Sequence, residues 1–201
     1  VNEQRGAEEY CIAVVGGGAG SVELALAIAH RLKGKSLVLD LWCGAPVILQ
    51  SYNARARRMV MMALQRHGIR VHLNARVTEV ESAALSFADG SHPAYDQLLW
   101  CTGASAAPWI AASGLATNEH GFLAVRDTLQ AMDHDDIFGA GDIATQVNHP
   151  RPKAGVYAVR QAPVLTHNLR AVLLDTPLRL HRPQRRFLSL ISLGDKRATA
   201  E

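Results

Sequence analysis

Along this chain the spacing of apolar positions changes several times, and each change marks an element. Residues 12–15 are a continuous apolar run, mostly β-branched, which suits a strand buried on both faces. From Ser21 the positions Val22, Leu24, Ala25, Ile28, Ala29 and Leu32 recur at intervals of three and four, so a helix is expected there, with Gly34 to close it. A second strand is expected over residues 36–42. A second helix follows over 53–67, with Asn53 as its N-cap and Gly68 just past its end, and then a third strand over 69–73. The order βαβαβ implies a parallel sheet with right-handed crossovers.

After residue 76 the period shortens to two. The alternation over 77–81, the apolar run 85–88 and the Asp89-Gly90 turn predict a small antiparallel meander laid over the sheet. Residues 95–101 predict one more buried strand, ending at Thr102 and Gly103. Small residues and proline then take over at 104–108, which marks a domain boundary. Beyond it come a short helical piece at 109–112, a strand at 122–125, and the run 137–142, which delivers Asp142 behind Gly141. A helix is expected over 154–174, with Pro163 forcing a kink or a break, and the apolar run 187–193 reads as strand.

With 48% hydrophobic and 19% charged residues in 201, the composition is that of an ordinary globular protein able to bury one large core or two small ones. A formal net charge of +3 is too small and scattered to argue for nucleic acid as a partner. No apolar run is long enough to span a membrane. Cys11, Cys43 and Cys101 are odd in number, lack a C-x-x-C pair and sit in apolar surroundings, so buried free thiols in a reducing, cytoplasmic compartment are expected. The nine histidines show no metal-ligand spacing.

Chemistry concentrates where the first strand meets Gly16, Gly17 and Gly18. Gly16, Gly18 and Ser21 have the spacing of the dinucleotide fingerprint G-x-G-x-x-G, with serine in the third place, and the amides that open the following helix attract anions. Asp40 falls about 20 residues further on, where a ribose-binding acid belongs. A solvated strand end is the alternative reading of that residue. An acid at that point would favour NADH by repelling a 2′-phosphate, while Arg55, Arg57 and Arg58 offer the opposite charge.

Four stretches taken together, VVGGGAGSVELA, LLWCTGA, GFLAVRDTLQ followed by DIFGAGDIA, and RPKAGVYAVRQAPVLTHNL, resemble the second half of a flavin-dependent pyridine nucleotide-disulfide oxidoreductase. The likeness is to the type II NADH dehydrogenase-like branch, of the kind joined to selenide, water dikinase. It implies a Rossmann-like three-layer nicotinamide-binding α/β domain over residues 10–103, a C-terminal portion of an FAD domain over 104–195, a polar segment at 1–9 and a tail at 196–201. Only one glycine fingerprint is present, so the first FAD-binding half is missing and the chain, which starts at Val1, is expected to be a piece of something longer.

Residue by residue, the resemblance gives Gly16, Gly17, Gly18 and Ser21 to the pyrophosphate, places Glu23 near the nicotinamide side, and assigns Asp40 to the ribose. It makes Thr102 and Gly103 the exit from the domain. Gly141 and Asp142 fall to the flavin ribityl hydroxyls. Lys153, Ala154, Gly155 and Val156 form a helix start facing the flavin pyrimidine edge, where positive charge suits the reduced cofactor.

The activity implied is hydride transfer from NAD(P)H to FAD, with electrons passed to an unspecified acceptor. FAD is not expected to be retained by this portion alone, and self-association into a homodimer stays open. The alternative is a nucleotide-binding or regulatory module without redox turnover. A self-contained dehydrogenase is disfavoured, because no Tyr-x-x-x-Lys or His–acid pairing stands out.

Overall fold

The structure is a computed structural model that describes residues 9–201; apart from Glu9, the expected polar segment 1–9 lies outside the described residues. The described residues divide into two units, one formed by those up to Gly103 together with Leu188–Glu201 and the other by Ala104–Phe187.

In the first unit, β1 (Tyr10–Val15), α1 (Ala19–Arg31), β2 (Leu37–Trp42), α2 (Ala54–Arg66) and β3 (Arg70–His72) follow in order, and β6 (Gln97–Trp100) completes a parallel sheet ordered β3-β2-β1-β6. Val15 pairs with Trp42 on one side and Trp100 on the other, so three strands end at one level and share a carboxyl edge. Alternation along β1 divides the core. Ile12 and Val14, with Leu39 and Leu41, face α1 and α2 through Val22, Leu26, Val60 and Leu64. Ala13 and Val15 face the other way, against Leu85 and Phe87 of the hairpin β4 (Val77–Val80) and β5 (Leu85–Phe87). Helices, sheet and hairpin thus make three layers. Asn53 caps α2, its side chain accepting a hydrogen bond from the Ala56 amide at 2.9 Å.

Two features depart from expectation here. Helix α1 begins at Ala19 rather than Ser21, because no side chain caps it and Gly20 is free to enter the first turn. The chain also returns to this unit after Phe187, whereas residues 104–195 were expected to form one portion. Hairpin β9 (Leu190–Ser192) and β10 (Ala198–Ala200) buries Ile191 and Leu193 in the helix-side core.

In the second unit, β7 (Leu123–Val125) pairs in parallel with β8 (Ala144–Gln146), and Ile110 of the short helix α3 (Pro108–Ala112) packs with Leu123, Val125 and Leu129. Helix α4 (Gly155–Leu173) runs unbroken through Pro163. The carbonyl that proline leaves without a partner belongs to Val159, whose side chain is well exposed, so water can satisfy it.

Candidate functional site

The three glycines after β1 have three different reasons to be glycine. Gly16 has φ +140°, and any side chain there would overlap the Cys101 carbonyl. A methyl on Gly17 would overlap the Cys43 sulfur. Gly18 has ordinary extended angles (φ −85°, ψ −179°), and a methyl there would meet nothing within 4 Å. Packing therefore demands the first two and leaves the third unexplained by the fold. Gly18 borders open space in front of the first turn of α1. The amides of Ala19, Gly20 and Ser21 have no intrahelical acceptor, no side chain caps them, and the first turn carries no acid. An uncapped helix start beside open space, at the carboxyl edge of a parallel sheet, fits the diphosphate of a dinucleotide.

Three expected ligands of that seat have other partners. Ser21 is fully buried, and its hydroxyl donates to the Gly18 carbonyl at 2.8 Å. It shapes the turn from inside and keeps the close strand–helix packing that a third glycine would give. Glu23 turns to β9, where its Oε1 accepts the Ser192 amide at 2.7 Å.

Asp40 is not a solvated strand end, and it stands back from the sheet edge beside which a ribose would lie. It pairs with Ala13, two residues short of the edge, and is 4% exposed on the face covered by the hairpin. Its carboxylate accepts from Arg70 Nε at 2.8 Å and Nη2 at 2.6 Å, and lies 2.7 Å from His72 Nε2. Burial alone would raise its pKa, but the hydrogen bonds from His72 and Arg70 and their charges hold it below the ordinary carboxylate value. The His72 ring in turn stacks on Trp42 with centroids 3.7 Å apart. Asp40 is thus an anchor joining β2 to β3.

Where β6 ends, the Cys101 amide donates to the Val15 carbonyl at 2.8 Å, and Thr102 and Gly103 follow as exposed residues. Cys11 and Cys43 are buried and Cys101 is half-buried, none of the three in a disulfide; burial pushes the Cys101 thiol up.

The second unit brings most of its expected residues to one shallow crevice, open to solvent and bordered by Gly141, Asp142, Thr145, Lys153, Ala154 and Tyr157 among others. Gly141 has φ +70°, and its amide donates to Gln161 Oε1 at 2.6 Å, so the turn Gly141–Ile143 is pinned to α4. Asp142, exposed on that turn, makes no hydrogen bond or ion pair among the described residues.

Lys153 reaches back across β8, donating to the Ala144 carbonyl at 2.6 Å and the Thr145 hydroxyl at 2.9 Å, with its ammonium 4.0 Å from the centre of the Phe122 ring. Burial lowers its pKa, and the Asp142 charge opposes that. Ala154 is the N-cap of α4 without a side-chain cap, and the amides of Gly155 and Val156 at its start have no acceptor among the described residues. One carboxylate, one ammonium and one bare helix start on a single crevice suit a polyhydroxylated, partly anionic cofactor. Sequence reasoning missed Gln161, Tyr157 and His149 on the same crevice. Tyr157 and Gln161 stand at helical spacing from Ala154, which is the signal that could have found them.

Among the described residues there is no cluster able to hold a metal ion, and no helix is long and apolar enough to cross a membrane. The chain is 28% identical over 186 residues to the type II NADH:quinone oxidoreductase of Haemophilus influenzae, covering 84% of this chain and 41% of that protein. It is 30% identical over 186 residues to ferroptosis suppressor protein 1 of Xenopus tropicalis, covering 86% and 48%. It thus spans less than half the length of either relative. Its fold is similar to that of a ferredoxin reductase from Rhodopseudomonas palustris, with a TM-score of 0.72 at 22% identity, over 93% of this chain and 46% of that one. Residues 3–162 match the pyridine nucleotide-disulphide oxidoreductase family, and the chain belongs to that family.

Proposed function

We propose that this chain supplies the nicotinamide-nucleotide seat and part of the flavin seat of an FAD-dependent NAD(P)H oxidoreductase. The observation that carries the reading is Gly18: the fold does not need a glycine there, and the space it keeps open faces three amides that have no acceptor among the described residues. Those amides would bind and orient the diphosphate, and the carboxyl edge of the sheet would hold the nucleotide beside it. In the second unit Asp142 would accept hydrogen bonds from flavin hydroxyls, while Lys153 and the start of α4 would place positive charge at the flavin ring. When bound, FAD would supply a two-electron acceptor able to hand electrons on. The residues of this chain position the two cofactors and tune the charge around them; none acts as acid or base. The chain spans less than half the length of these relatives, which supports a further flavin-binding half in the whole protein. A quinone, named for the Haemophilus relative, is the first acceptor to try.

The test is the absorbance spectrum of the protein carrying both flavin halves, with and without NADH, under anaerobic conditions. A yellow protein bleached by NADH supports the proposal. A colourless protein that still binds NADH overturns it in favour of a nucleotide-binding module.

A further inference from the structure

We propose that the dinucleotide seat accepts a 2′-phosphorylated adenosine, so that NADPH binds at least as tightly as NADH, and that Arg76 meets the additional phosphate. This rests on the reading of the glycine turn given above. Discrimination against a 2′-phosphate needs a carboxylate at the exit of β2, where it can bond the ribose hydroxyl and repel the phosphate. The only acid in β2, Asp40, lies two residues inside the sheet and is held by Arg70 and His72. The first side chain beyond the strand, Cys43, is the one that packs on Gly17, and it is a thiol.

From residue 41 to residue 78 the chain has no Asp or Glu, while it carries Arg55, Arg57, Arg58, Arg66, Arg70 and Arg76. Of these, Arg76 stands at the strand exit. Residues 74–76 are tied there by the Asn74 amide donating to Ala45 at 3.0 Å and the Ala75 amide donating to Cys43 at 2.9 Å. A methyl on Gly44 would lie 3.3 Å from the Arg76 Cβ. Arg76 is exposed and has no acid partner among the described residues.

The carboxylate placed on a neighbouring element, Glu201, accepts the Asn53 amide at 3.1 Å and so sits on the start of α2. The exit of β2 therefore offers a cation with the fork geometry that suits phosphate, and residues 41–78 bring no acid to it.

The experiment is a fluorescence titration of the 201-residue chain with NADH and with NADPH, repeated on Arg76→Ala. Arg76 is on the surface and the variant should fold, which its circular dichroism and melting temperature check. We expect wild type to bind NADPH with a Kd equal to or below that for NADH. Arg76→Ala should weaken NADPH about tenfold and change NADH less than twofold. A tenfold preference of wild type for NADH overturns the inference and leaves the dinucleotide reading standing. Equal effects of the variant on both nucleotides remove Arg76 from the role. Failure of wild type to bind either nucleotide sinks the dinucleotide reading itself.

Discussion

Replacing Gly18 by aspartate should move stability and binding in opposite directions. The residue already has the extended angles of an N-cap, and a Cβ there meets nothing beyond its chain neighbours within 4 Å. Aspartate is a better N-cap than glycine by a few tenths of a kcal/mol. Its charge adds about 0.3–1 kcal/mol against the positive end of α1, which carries no acid in its first turn. The sum is about 0.5–1.5 kcal/mol, or ~1–6 °C in melting temperature for a chain of this size.

The same carboxylate would occupy the space in front of the three free amides. A unit charge within about 5 Å of a diphosphate oxygen at an effective dielectric of about 20 is repelled by ~3 kcal/mol, and the amide contacts it displaces are worth ~1.5–3 kcal/mol each. NADH affinity should therefore fall at least about a hundredfold. Gly18→Val, which the extended angles also allow, should lose affinity without the gain in stability. Calorimetric titration with NADH and a thermal melt on the three proteins read both quantities. A Gly18→Asp variant that melts several degrees lower, or that binds NADH as wild type does, would refute the reasoning.

Gly17→Ala should destabilise the first unit by about 1–3 kcal/mol through overlap with the Cys43 sulfur. A double-mutant cycle with Cys43→Ala should recover part of that loss, and strict additivity in urea denaturation would contradict the contact. Asp40→Asn should cost about 2–3 kcal/mol at pH 7, because it leaves Arg70 and His72 beside a buried neutral group. Since the native pKa of Asp40 is depressed, its contribution is present above the ordinary carboxylate value of about 3.9 and is lost as pH falls through the lower native value. The gap in melting temperature between wild type and Asp40→Asn should accordingly close below about pH 4. In the protein carrying both flavin halves, Asp142→Ala should weaken flavin retention and leave NADH affinity of the 201-residue chain unchanged. Equal loss of both ligands would mean that the two seats are misassigned.

Much of the architecture was legible because it rests on local signals. Asn53 announced the start of α2 by its side chain, and the apolar runs of β1 and β2 announced a sheet covered on both faces. The glycine turn was legible as a motif, yet the sequence could not say which glycines serve packing, since the Cys101 carbonyl and the Cys43 sulfur that crowd Gly16 and Gly17 come from distant segments. Asp40 misled for the same reason. Its partners lie 30 and 32 residues away on a strand brought alongside by α2, and only the register shows that it stops short of the edge. Glu23 likewise found an acceptor's role at Ser192, 169 residues on, in a hairpin that the sequence placed with the other unit. In the second unit, Asp142 and Lys153 share a local stretch and border one crevice, whereas Gln161 looks like any helical polar residue until the Gly141 amide reaches it.

The central claim is that the open space beside Gly18 seats a diphosphate. Amide chemical shifts of the ¹⁵N-labelled chain, followed as NADH is added, test it most directly. The account predicts saturable shifts that are largest at Gly18, Ala19, Gly20 and Ser21, and that vanish in Gly18→Asp. Shifts absent from that turn, or centred instead on the stretch from Gly141 to Val156, would contradict it.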